Sequence, residues 1–185
     1  FGQSFDLEGL SELVGSQHSP ETLDGWLTSL IEAELVEPAG DAVDGGHYRF
    51  RHALFHEAAY DLLTEQDRAL GHRLAAQYLQ AQGGRDPRLL AEHYRRGGSL
   101  PEASQHYLAA AERALGSSDL GGALDCVRQG LDCDVGHELQ GALRAVELQA
   151  HFWRDEWAQA LACGNQALQL LPQGSERWCR AAAVM

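Results

Sequence analysis

The chain has 185 residues, 44% of them hydrophobic and 22% charged, which is the chemistry of a folded globular protein rather than a disordered one. Its net charge is −13, all 14 basic residues are arginine, and lysine is absent. That composition excludes from this chain a P-loop with its GK[ST] lysine, a protein-kinase strand lysine and Schiff-base chemistry. No run approaches the roughly eighteen apolar residues that a membrane-spanning helix needs, and nothing at the start resembles a secretory signal.

The opening quarter is acidic. Ten acids and no arginine lie in 1–46, so this stretch repels phosphate backbones, and nucleic acid is not an expected partner. The apolar positions Phe5, Leu7, Leu10, Leu13 and Val14 predict a short amphipathic helix over 5–14, ended by Gly15. Ser19 before Pro20 reads as a cap followed by a good first helical residue. The next helix places Leu23, Trp26, Leu27, Leu30 and Ile31 on one buried face. Leu35 and Val36 then begin a strand, 38–46 holds proline and three glycines as a turn, and 47–51 alternates as a half-exposed strand. Two helices followed by a two-stranded hairpin describe a winged-helix module over 1–63, with its wing near 36–51.

From Ala53 the pattern is helical. Leu54, Phe55, Ala58, Ala59, Leu62 and Leu63 share one face. Thr64 caps a second helix with the face Leu70, Leu74, Tyr78 and Leu79, and Gly83-Gly84 stops it. Asp86-Pro87 starts a third, which runs to Gly97-Gly98, so that 64–98 forms connecting helices. Ser99 and Glu102 have capping-box spacing.

The later helices come in pairs: 103–115 with 120–131, and 139–153 with 157–171. Short links make the partners antiparallel. Ala123 and Ala160 open the second helix of each pair 37 residues apart, near the 34 of a tetratricopeptide repeat. Ala110, Ala111, Ala123, Ala160 and Ala167 are expected at close helix crossings, and Tyr107, Phe152 and Trp157 between pairs. The expected fold is therefore mainly α: the winged-helix-like module, then an antiparallel helical-hairpin, tetratricopeptide-like solenoid over 99–185. The chain begins at Phe1, and its only methionine is Met185, so it reads as an excerpt whose repeats are truncated at the C-terminus. Cys126, Cys133, Cys163 and Cys179 form no CxxC pair and sit in helical patterns, as small buried hydrophobes of a reduced, cytoplasmic protein do.

The stretch YRFRHALFHEAAYDLL at 48–63 resembles a segment of bacterial STAND-type regulatory ATPases, and AEHYRRGG at 91–98 with EASQHYLAAAERAL at 102–115 resembles the first repeats of the same proteins. Ala160, Ala167 and Pro172 match the repeat's alanine, alanine and proline. Gly164 and Gly130 depart from it, since the repeat has a larger residue at the first place and alanine at the second. The resemblance implies a parent in which a P-loop ATPase domain using ATP/ADP and Mg precedes the winged helix and repeats. A further effector is often present there, such as a serine/threonine kinase, a nucleotide cyclase or a DNA-binding domain. It also implies an intramolecular nucleotide-binding domain as one partner, and a nucleotide-sensing role for His52, helped by Arg51.

Read from the residues alone, His52 is a packing or capping histidine. His52 and His56 lack a nearby third metal ligand, and Cys126, Cys133 and His137 are explained by a helical core face. The acid pairs Asp132/Asp134 and Asp155/Glu156 are expected to cap helix ends. Arg85, Arg88, Arg95 and Arg96 form a basic spot where a repeat groove would hold an acidic peptide or protein partner. The chain itself is expected to carry no catalytic residues, no cofactor and no metal. The alternative is a winged-helix transcriptional regulator with a helical effector-binding domain.

Overall fold

The computed structural model describes residues 4–15, 19–39, 46–84, 86–133 and 135–185, without the side chain of Pro20. The described chain is mainly helical and divides into two compact units, Phe1–Gln82 and Gly83–Met185. The expected connecting stretch 64–98 is shared between the units. No helix among the described residues is long and apolar enough to cross a membrane.

The first unit is built on a three-stranded antiparallel sheet in the order β1-β3-β2, with β1 at Ser4–Asp6, β2 at Val36–Pro38 and β3 at His47–Phe50. The register pairs Phe5 with Tyr48 and Val36 with Phe50. Two strands were expected. The third comes from residues that periodicity assigns to the first helix, because Phe5 stacks on Tyr48 and packs on Phe50 across the sheet. Helix α1 (Leu7–Val14) therefore starts two residues later, capped by Asp6, whose carboxylate accepts from the Gly9 amide. The central residues of the expected wing, 40–45, lie outside the described residues.

Helix α2 (Pro20–Glu32) is capped by the Ser19 side chain, as expected. It buries Leu23 and Leu27, but Trp26 and Leu30 stand exposed, so the buried stripe is narrower than the apolar one. Helix α3 (Ala53–Leu62) departs further: it buries none of its residues. Helix α4 (Glu65–Ala81), capped by Thr64 through the Asp67 amide, buries Ala75 and Ala76, whereas Leu70 is exposed. The Tyr78 hydroxyl donates to the capping Asp6 at 3.0 Å, tying α4 to α1, and burial together with that carboxylate pushes the phenol up to about 12.

The second unit contains α5 (Pro87–Arg96), α6 (Leu100–Gly116), α7 (Leu120–Leu131), α8 (His137–Trp153), α9 (Trp157–Leu170) and α10 (Glu176–Val184). Each packs on the next, α6 also meets α8, and α8 also meets α10. Helix α8 is enclosed on several sides and accordingly buries residues on more than one stripe, from Gly141 to Ala150. All five alanines expected at crossings are buried, and so is Tyr107, but Trp157 is exposed at the start of α9.

One of the two glycine departures has a steric cause. A Cβ on Gly130 would lie 3.1 Å from both Leu143 methyls and 3.2 Å from Tyr107 Cβ. The buried Ser104 hydroxyl donates to the Gly130 carbonyl at 3.1 Å, fixing α6 against α7 at that point. At Gly164 a Cβ would meet only the flexible tip of the exposed Met185 side chain, which can move aside, so the contact does not account for that glycine. The capping box at Ser99 does not form, since its side chain makes no capping bond. Asp132 sits at the C-terminal end of α7 rather than at a helix start, and Glu156 makes no capping bond to α9. Asp134 lies outside the described residues.

Candidate functional site

The sequence-derived positions lie in two places, one in each unit. In the second unit, Asp86 caps α5 by accepting from the Arg88 amide at 3.0 Å, and Pro87 opens the helix. The helix then presents Arg88, Glu92 and Arg95 at spacings of four and three, hence along one face. They border an open groove of about 460 Å³, with Asp86, Leu89 and Gln129 completing its walls. A second groove of about 420 Å³ shares Arg95 and Gln129 and continues past Leu100, Asp132 and Cys133. Spaces of this size accept a few side chains of an extended segment.

Glu92, whose type and spacing alone do not mark it in the sequence, organises this face. Arg95 donates to it through Nε at 3.1 Å and Nη2 at 2.8 Å, and Arg96 through Nε at 2.6 Å. The hydroxyl of the fully buried Tyr107 donates to the same carboxylate at 2.9 Å. The Arg95 bonds, then those of Arg96 and Tyr107, outweigh partial burial and hold the Glu92 carboxyl down at about 2. The same contacts raise Arg95 further above its usual range. Burial and Glu92 push the Tyr107 phenol up to about 12.

The basic spot is therefore electrically different from the one expected. Arg95 and Arg96 share one carboxylate, and Asp86 and Asp132 border the grooves. Among the described residues, the Arg88 guanidinium has no ion-pair partner, which leaves it the available cation of the face. Arg85 lies outside the described residues.

The depressed Glu92 carboxyl carries a pH signature. Its stabilising contribution is complete above the ordinary carboxyl value of 4.5 and is lost as pH falls towards about 2. We expect Glu92→Gln to remove acid sensitivity in that window, with a loss at neutral pH on the order of 1 kcal/mol after solvent screening. Urea melts of both proteins from neutral pH down to acid check this. Parallel pH dependence of the two would refute it.

In the first unit, Arg51 and His52 stand between β3 and α3. The Arg51 guanidinium pairs with Glu34 at 3.0 Å, and the Arg51 amide donates to the Leu35 carbonyl. His52 occupies the N-cap position of α3, yet its side chain makes no capping bond. Its exposed ring lies against Phe55 with centroids 5.5 Å apart. His56 turns instead to Phe50 and Tyr60, and the Tyr60 hydroxyl meets the ring of His72 at 3.0 Å. Along α2, Glu21, Asp24 and Glu32 face solvent, and the Ser19 hydroxyl lowers the Glu21 carboxyl. That helix would meet a nucleic-acid backbone with negative charge.

Three cysteines, Cys126, Cys133 and Cys163, are buried as expected, whereas Cys179 is exposed. Burial pushes the Cys126 and Cys133 thiols up, which makes them poor nucleophiles. Comparison with known protein families, curated proteins and solved structures finds no match to this chain.

Proposed function

We propose that this chain is a non-catalytic regulatory and protein-interaction segment of a larger bacterial STAND-type signalling ATPase, acting in the cytoplasm. In this reading the first unit is the winged helix, with the wing between β2 and β3, and the second is a tetratricopeptide-like array. The observation that carries it is α3, the helix inside the stretch that bears the resemblance. Although apolar in sequence, it buries none of its residues; Leu54 is 73% and Leu62 87% exposed, beside the exposed His52 ring. A contiguous apolar face of this kind on a folded unit serves as a contact surface. A nucleotide-binding domain of the same polypeptide is its partner in this reading, with His52 donating to the bound diphosphate and Arg51 adding charge nearby. The α5 grooves supply the surface for a second protein, in which an acidic side chain would pair with Arg88.

The parent polypeptide tests the proposal. A P-loop ATPase domain is expected upstream of Phe1. In that parent, His52→Ala is expected to weaken ADP retention about tenfold, the loss of one hydrogen bond to a charged group. ADP binding measured on parent and variant by calorimetry checks it. A parent without a P-loop, or unchanged ADP affinity, refutes the proposal.

A further inference from the structure

Helices α8 and α9 bring together three side chains of metal-ligating type that lie far from the α5 grooves in sequence. Glu147 and His151 are one turn apart on α8, and Cys163 faces them from α9. One carboxylate oxygen, one ring nitrogen and the Cys163 sulfur all lie within 4.8 Å of one another. We propose that Glu147, His151 and Cys163 bind a soft divalent cation of the zinc class, clamping α8 to α9.

Each ligand is held ready by a neighbouring side chain. His151 Nδ1 is 2.5 Å from Glu156 Oε2. A carboxylate can only accept, so Nδ1 carries the proton and the lone pair is left on Nε2. That nitrogen faces the cluster, 3.9 Å from Glu147 Oε1, which is too long for a hydrogen bond. A ring nitrogen oriented by a carboxylate on its far side is the arrangement that prepares a histidine for metal. Tetrahedral zinc with bonds of about 2.0–2.3 Å separates its ligands by about 3.3–3.7 Å, so ligand atoms within 4.8 Å of one another close by about 1 Å or less through side-chain rotation.

Glu147 divides its two oxygens. Arg144 Nη1 donates to Oε2 at 2.6 Å, leaving Oε1 towards His151. A carboxylate and a thiolate neutralise the dication; Arg144, which bonds Glu147 and also reaches the Cys163 sulfur, yields the sulfur to the metal, and Glu156 offsets its charge. Sulfur and nitrogen donors select zinc over magnesium or calcium. In the metal-free protein burial first, and then Glu147, keep the Cys163 thiol protonated against the smaller opposing pull of Arg144. Binding forms a metal–sulfur bond and releases that proton to solvent. The side chains of His151 and Glu147 are 15% and 19% exposed, which gives an ion a way in and water a fourth coordination position.

Cobalt(II) titrated into the reduced, metal-free protein is the probe, because a thiolate ligand produces a charge-transfer band in the near ultraviolet and a tetrahedral site produces strong visible bands. One equivalent is expected to bind with both signals. Cys163→Ser should abolish the near-ultraviolet band, whereas Cys179→Ser, at the exposed cysteine, should keep it. His151→Gln and Glu156→Gln should each weaken binding about 10–100-fold, Glu156 acting as a positioning residue. Far-ultraviolet circular dichroism verifies that each variant is folded, and the wild-type titration is decisive even where one is not. The proposal is overturned by a wild-type titration without the thiolate band, by a band that survives Cys163→Ser, or by binding indifferent to His151→Gln.

Discussion

Replacing Tyr107 by alanine is expected to destabilise the second unit by about 3–5 kcal/mol, a loss comparable to much of a domain's net stability of about 5–15 kcal/mol. Tyr107 is fully buried in α6, its Cβ lies against α7 at Gly130, and its hydroxyl reaches Glu92 on α5. One ring therefore fills the space at which three helices meet. Its removal leaves a cavity that collapses only in part, because the Ser104 hydrogen bond to Gly130 resists movement of α7 there. The loss has two parts that a second variant separates. Tyr107→Phe keeps the packing and removes only the hydroxyl, at an expected cost of about 1–2 kcal/mol, and it should raise the Glu92 carboxyl. Chemical denaturation of both variants measures the difference. If Tyr107→Phe costs as much as Tyr107→Ala, the ring's packing is not what holds the three helices.

The second large effect is at Gly141. A Cβ there would lie 3.0 Å from Leu170 Cβ and from Leu171 Cγ, and 3.1 Å from the Leu171 backbone nitrogen. Side-chain tips give way cheaply, but a backbone nitrogen at the end of α9 does not. Gly141→Val is expected to cost about 3 kcal/mol, at the upper end of overpacking effects. Gly141→Ala should cost less, because alanine's helix propensity, better than glycine's by about 1 kcal/mol, offsets part of the strain. Thermal melts of the two variants give the order. A stabilising Gly141→Val would show that α8 and α9 are not in close contact there.

Much of the helical layout is legible without coordinates, because it is written in local chemistry. Asp86-Pro87 before α5, Thr64 before α4 and Ser19 before α2 are side chains that satisfy free amides within three residues, and that relation survives any tertiary context. The short links of α6 to α7 and α8 to α9 fall where the expected pairs place them. The candidate sites were less accessible. Arg88, Arg95 and Arg96 can be named from their cluster, but Glu92 had to be seen holding two of them before the charge of the face could be assigned. Glu147 and His151 are four apart on one helix, which is a visible signal. Cys163 lies on a different helix, and nothing in its neighbourhood announces the encounter.

By itself, then, the sequence determined where most helices begin and end, that they pair, and that an acidic, lysine-free chain cannot hold a P-loop. Helix periodicity and capping act over a single turn, so they can be read one segment at a time. Only the tertiary structure decided which apolar stripes find cover. Leu23 and Leu27 are buried and Leu54 and Leu62 are not, although all four belong to apolar stripes. It also decided that residues 4–6 join a sheet, and that Gly130 and Gly141 mark helix contacts where a Cβ is crowded. These outcomes depend on surfaces brought together from distant parts of the chain, and burial stabilises a residue only when a partner surface is there to exclude water.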